Sequence, residues 1–191
     1  MKAASTYQIV ISGVGGQGVL FITRLLAEAA IQKGLPVFTS ETHGMAQRGG
    51  TVISHLKIGD FASPLISPGR ADGLIALKAE SLDQHGGYLK SGGWAVINGL
   101  APLKTQEQAS KQYFLDADQL ARELDDPRSV NLIMLGFTFA CARRGTSGHN
   151  SLYCSPYDVE AVLENRLKGK NHRQQSSLRA FKAGIDSAAA A

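Results

Sequence analysis

The chain has 191 residues, 43% of them hydrophobic, and a formal net charge of +4. That length suits one sizeable domain, or one domain with a small appendage. The mild basicity comes without a Lys/Arg-rich run interleaved with aromatics, which argues against a nucleic-acid partner, and no apolar run approaches the roughly 18 residues of a membrane span.

Tyr7 to Ser12 reads as a buried strand through Ile9, Val10 and Ile11, and it leads into a glycine turn, Gly13 to Gly18. Val19 to Lys33 repeats apolar residues at helical spacing, and Gly34 supplies the stop. Pro36 to Ser40 is a short second strand. A polar loop, Glu41 to Gly50, precedes a third strand in which Val52, Ser54, Leu56 and Ile58 alternate with Ile53, His55 and Lys57. Leu74 to Leu77 is a buried strand, and a helix is expected near Ser81 to Leu89, broken by Gly92-Gly93 before another strand at Trp94 to Ile97. Gln112 to Leu115 is one more strand. Helices follow at Ala117–Leu124 and Val130–Arg143, then from the Ser155 cap and Pro156 to about Leu167, and at Ser177–Ser187. Strands alternating with helices predict an α/β domain over residues 1–191, a Rossmann-like three-layer fold with a mostly parallel sheet. The helical C-terminal third should pack on that sheet or project as an arm.

The first strand begins too early for a signal-peptide hydrophobic region to precede it. The two cysteines, Cys141 and Cys154, form no CxxC pair, so neither a zinc ribbon nor a cluster-binding run is available, and the usage fits a cytoplasmic chain.

Gly13, Gly15 and Gly18 satisfy G-x-G-x-x-G between a strand and a helix, with Gly16 and Gln17 inside. Missing side chains let backbone N–H groups face an anion, and the helix N-terminus adds partial positive charge. The same sequence also serves as a tight turn that binds nothing. A nicotinamide site would want an acid about 20 residues on. Glu41 falls near that distance but opens a polar loop, so an anion site fits better than bound dinucleotide.

The loop gathers Glu41, Thr42, His43, Gly44, Met45, Gln47, Arg48, Gly49 and Gly50. His43 could serve as general acid or base, Arg48 could fork onto a carboxylate or phosphate, and Glu41 could orient either. Equally, Glu41 and Arg48 could form an internal ion pair that fixes the loop, with His43 a structural contact. His55 is expected beside the loop. His85, His149 and His172 read as surface residues, and Asn98 and Asn131 are placed to cap loops. No G-x-S-x-G elbow and no clustered metal ligands accompany these groups, so a complete catalytic set is missing.

Gly13-x-Gly15-Gly16-Gln17-Gly18, the Glu41–Gly50 stretch and Ser54-His55-Leu56 together resemble the gamma-type subunit of 2-oxoacid:ferredoxin oxidoreductases. The His-Gly-Met-x-Gln-Arg-Gly-Gly form is most similar to the beta subunit of the indolepyruvate enzymes. Pro64-Leu65-Ile66, Ala71-Asp72, Glu80, Asn98, Asn131, Leu135-Gly136, Leu178-Arg179-Ala180-Phe181 and Gly184 extend the likeness along nearly the whole chain. Lys78, where the family often has an acid, and Ser177, where it usually has Asn, depart from the pattern. The resemblance implies a smaller subunit. Thiamine diphosphate, Mg and iron–sulfur clusters would belong to a large partner, no cofactor would be held tightly by this chain, CoA would be co-substrate, and electrons would pass to ferredoxin. The glycine turn would hold an anionic group, and the polar loop would face the partner, with Arg48 as charge anchor. An exposed apolar patch on that face would let the isolated chain pair with itself as a homodimer. Two rivals remain open: a free-standing nucleotide- or CoA-binding module, and a nicotinamide-dependent oxidoreductase.

Overall fold

A computed structural model describes residues 6–43, 50–101, 110–144 and 152–187. The elements run β1 (Tyr7–Val14), α1 (Val19–Gln32), β2 (Val37–His43), β3 (Thr51–Ile58), β4 (Ala71–Ala76) and α2 (Glu80–His85). A single 3-10 turn, Gly86–Tyr88, leads to β5 (Leu89–Asn98), β6 (Lys111–Leu115), α3 (Ala117–Glu123), α4 (Val130–Arg144), α5 (Pro156–Arg166) and α6 (Asn171–Ser187). The six strands form one sheet in the order β2-β3-β1-β4-β5-β6. β1, β4, β5 and β6 pair in parallel, while β3 runs antiparallel to both β1 and β2. The expected α/β class with a mostly parallel sheet is therefore the observed one, with a single reversed strand.

The two faces of the sheet are covered unequally. Ile9, Ile11, Leu56, Ile75 and Val96 point into a large core beneath α1, α3, α4, α5 and α6. Val10, Ile53, Leu74, Ala76, Ala95 and Ile97 form a smaller second core with Ile66, Leu82 and Tyr88, under α2 and the segment before β4. Because both faces are covered, β3 buries Val52 to Ile58 without a break, and its alternation does not mark a solvent side.

The helical C-terminal third packs on the sheet rather than projecting. α4 is apolar around most of its circumference because α6 covers the side away from the sheet. The two helices cross at glycines. A methyl group on Gly136 would overlap the Phe181 carbonyl oxygen, and one on Gly184 would overlap the Ile133 carbonyl oxygen. α5 opens with a full capping box. Ser155 Oγ accepts from the Asp158 N–H, and the Asp158 carboxylate accepts from the Ser155 N–H at 2.7 Å. Lys33 and Asp158, 3.3 Å apart, tie the end of α1 to the start of α5.

Several boundaries differ from expectation. The helix expected to reach Leu89 ends at His85, and β5 begins at Leu89, so Gly92-Gly93 lies inside a strand. The pairing of β4 with β5 shifts there, from Ala71–Leu89 to Gly73–Trp94. Gly92 takes φ 74° in that irregularity, which is why two adjacent glycines read as a breaker. α6 begins at Asn171, two turns before Ser177.

Candidate active-site edge

The carboxyl ends of β1, β2, β4, β5 and β6 lie on one edge of the sheet, and β3, running the other way, starts there at Thr51. Open α/β sheets bind ligands outside this edge. Both sequence motifs fall on it. Gly13 and Val14 are the last residues of β1 rather than part of the turn, paired with Val52 and Thr51. Glu41, Thr42 and His43 are likewise the last residues of β2, paired with Ser54, Ile53 and Val52. The two motifs touch directly, since the Gly15 N–H donates to the Gly50 carbonyl at 3.1 Å.

The turn proper is Gly15 to Gly18. Gly16 and Gly18 take φ 92° and 81°, values that disfavour a side chain. Both ends of the Gln17 amide are engaged within the protein. Its Oε1 accepts from the Val14 N–H at 2.8 Å, and its Nε2 donates to the Leu77 carbonyl at 3.2 Å, so it staples the turn to the end of β4. A methyl on Gly13 would meet that Oε1 at 2.7 Å. Gly15 is different: among the described residues, only the Gly50 carbonyl, at 4.0 Å, would come near a methyl there.

In the polar loop, Glu41 and Thr42 are exposed, and the His43 backbone lies in β2. Gly44, Met45, Gln47, Arg48 and Gly49 lie outside the described residues, so the proposed Glu41–Arg48 pair and the role of Arg48 stand as expectations.

Five groups at or near this edge were not marked for their actual roles. Asn98 caps a loop as foreseen, but it also joins three elements. Its Oδ1 accepts from the Ala117 N–H at 2.9 Å, and its Nδ2 donates to the Leu77 carbonyl at 3.1 Å and to Asp118 at 2.7 Å. Lys78 follows Leu77 and pairs with Glu80 at 3.6 Å, both half-exposed. His85 is not a free surface residue, since its Nδ1 lies 2.9 Å from Ser12 Oγ and its ring leans on Tyr88. This serine–histidine pair is no hydrolytic dyad, because Ser12 is completely buried. His55 pairs with Ser40, next to Glu41 at the start of the loop. It is buried on the second face, edge-on to Tyr88 at 5.3 Å, with Nδ1 accepting from the Ile66 N–H at 3.4 Å. Burial lowers the pKa of both histidines, and the mutual proximity of the two rings and of Lys57 lowers His55 further. Asn131 does not cap a loop; its Oδ1 accepts from its neighbour Leu132 at 2.8 Å, and its Nδ2 rests over Gly18.

A cavity of about 860 Å³ lies at the other end of α1, lined by Lys33, Leu152, Tyr153, Cys154 and Tyr157 among others. It contains none of the groups read from the motifs, and its thiol is chemically quiet: burial pushes Cys154 up to about 12. No group of three or more His, Cys, Asp or Glu residues able to hold a metal ion occurs among the described residues. No helix among them is long and apolar enough to cross a membrane.

The fold and motifs define a domain of one enzyme family. The chain belongs to the pyruvate ferredoxin/flavodoxin oxidoreductase family, whose model matches residues 8–187. It is 32% identical over 200 aligned residues to the indolepyruvate oxidoreductase subunit IorB of Archaeoglobus fulgidus, covering 94% of each chain. It is similar to the gamma subunit of a keto/oxoacid ferredoxin oxidoreductase from Geobacter sulfurreducens, with a TM-score of 0.75 and 26% identity over 97% of this chain and 99% of that one. The 2-oxoglutarate:ferredoxin oxidoreductase of Magnetococcus marinus, solved with 2-oxoglutarate, coenzyme A and succinyl-CoA, shares the fold at TM-score 0.77 and 22% identity. Here 98% of this chain spans 32% of that chain.

Proposed function

We propose that this chain is the smaller subunit of a 2-oxoacid:ferredoxin oxidoreductase acting on an aryl 2-oxoacid such as indolepyruvate. The carrying observation is the meeting of the two motifs. The glycine turn and the polar loop are hydrogen-bonded at one sheet edge, yet the described groups there supply no accessible nucleophile and base. An edge with contacts but no catalytic set is half of a site. The likeness to the IorB subunit over 94% of both chains supports the aryl substrate.

Oxidative decarboxylation to an acyl-CoA needs groups this chain is not built to hold. An iron–sulfur cluster takes about four thiolates. Here there are two cysteines, both buried, and one is held far above the ordinary thiol range. Thiamine diphosphate with Mg, and the clusters, are assigned to a large partner subunit that passes electrons to ferredoxin. This chain contributes a preorganised wall: the turn for an anionic group, the loop for the partner, and the Leu77–Asn98–Gln17 bonds that hold the strand ends in place.

The test is to purify the chain with and without a thiamine- and cluster-bearing partner and follow indolepyruvate-dependent reduction of a viologen dye with CoA. Activity should require both chains. Robust activity from this chain alone would overturn the subunit reading, and faster turnover of pyruvate or 2-oxoglutarate than of indolepyruvate would overturn the substrate.

A further inference from the structure

The cavity of about 860 Å³ at the far end of α1 has the size of a small-molecule site. Its walls are apolar and aromatic. Phe139, Tyr153 and Ile185 line it, and so does Tyr157, which is 79% exposed. These walls are fixed from outside. The Tyr153 hydroxyl donates to the Leu26 carbonyl at 2.7 Å, and the capping box of α5 holds the chain from Ser155 to Asp158. The charged groups of the cavity are unbalanced. Lys33 is taken by Asp158 at 3.3 Å. Glu160, Lys182 and Asp186 also line the cavity, and none of the three makes an ion pair among the described residues. Two free carboxylates therefore stand against one free ammonium. The backbone adds to the same sign. Ala142 lies in the last turn of α4, Ile185 and Asp186 lie in the last turn of α6, and Lys33 caps the end of α1. Three helix C-termini, each with partial negative charge, thus converge on the cavity. The one helix that starts there, α5, has its positive end offset by Asp158 in its own capping box.

We infer that this cavity binds an aromatic ammonium compound, with its ring against Phe139, Tyr153 and Tyr157 and its cation toward Glu160 and Asp186. Aromatic faces and carboxylates both attract a cation, and more strongly where water is partly excluded. A phosphate ester or carboxylate would meet two acids and three negative helix ends, with one free lysine to offset them. A plain hydrocarbon would fill the walls but gain nothing from the rim. An arylalkyl amine and an aromatic α-amino acid share the chemistry that fits, and Lys182 would answer the carboxylate of the second. The cavity lies apart from both sequence motifs, so this site does not rest on the reading of the chain as an oxidoreductase subunit.

The experiment is a saturation-transfer NMR titration of the full chain with 2-phenylethylamine, L-phenylalanine and 3-phenylpropionate, which share one ring and differ in charge. At least one ammonium probe should bind saturably, and the anion should bind at least about tenfold more weakly. Whichever ammonium probe saturates at the lower concentration names the source, amine or amino acid. Glu160→Gln combined with Asp186→Asn removes the rim charge and should weaken that probe by at least about tenfold. Tyr157→Ser removes an exposed ring and should weaken it as well. These side chains lie outside the hydrophobic core, so the fold is kept, which melting curves of both variants check. No saturable binding of either ammonium probe, an anion that binds as tightly, or undiminished affinity in the rim variants would overturn the inference. Because no dye reduction is read, failure here leaves the oxidoreductase reading where it stood.

Discussion

Ser12 Oγ and His85 Nδ1 lie 2.9 Å apart, joining the strand beneath the glycine turn to the last residue of α2. His55 and Tyr88 stand beside them on the same face. This polar column adds to the apolar second core in joining α2 and Tyr88 to the sheet. Burial lowers both histidine pKa values, so in the folded chain each stays neutral to lower pH than in the unfolded chain. Protonating His55 at Nδ1 would also set a donor against the Ile66 N–H. The unfolded state therefore binds more protons just below the ordinary histidine pKa of about 6.5. Stability should be fully present above that value and fall as pH drops toward the folded pKa values. Melting curves from pH 8 to pH 5 should show this loss, and the double substitution His55→Gln, His85→Asn should flatten it.

Gln17 is predicted to be structural. Replacing it with Ala removes bonds to Val14 and Leu77 and leaves both backbone groups half-buried. The cost should be about 2 kcal/mol in urea unfolding. An intact melting curve with lost activity in the assembled enzyme would show instead that Gln17 faces a ligand.

Gly184→Ala and Gly136→Ala test the crossing of α4 and α6. Each methyl would overlap backbone, which cannot swing aside as a side chain can. Each should cost about 3 kcal/mol, read as a lower denaturant midpoint. Because both glycines act on one contact, the double variant should lose less than the sum of the two.

Neither thiol should react in the native chain. Cys141 and Cys154 are buried, and Cys154, at about 12, offers almost no thiolate at pH 8. A chromogenic disulfide reagent should titrate both cysteines quickly in denaturant and neither within minutes without it.

Lys78→Ala separates stability from function at the edge. The Lys78–Glu80 pair is half-exposed, so its loss should change stability by less than about 0.5 kcal/mol. A fall in turnover or partner affinity of the assembled enzyme beyond about threefold would mark Lys78 as a contact made only in the complex.

The strands and most helices were legible because apolar runs and glycine stops state them locally. Ser155 with Pro156 announced α5, and the apolar run from Val130 announced α4. The misreadings came where distant partners decide. Lys57 shows no partner in the sequence, but its Nζ reaches the Leu65 carbonyl at 2.9 Å and lies 4.5 Å over Phe61, and β3 is buried on both faces. His85 looked partnerless because its partner is 73 positions away. Gly92-Gly93 looked like a break because an irregularity inside a strand and a chain reversal use the same residue type. The two motifs, read separately in the sequence, meet at the carboxyl edge of the sheet. The Leu77 carbonyl, shared by Gln17 and Asn98, had no signal at all, since a backbone group carries none in a sequence.

β3 lies between β2 and β1 and runs against both. The segment that carries the polar loop thus leaves from His43 and returns at Thr51, on strands that are neighbours through Val52. A helical crossover at this point would have linked any change in length to the packing of a whole layer. A hairpin between adjacent strands makes the loop an exchangeable cassette: residues can be added, removed or rewritten between those two anchors at small entropic cost while the scaffold beneath keeps its register. The sequence of this stretch could therefore diverge through a handful of residues while the sheet beneath it stays unchanged.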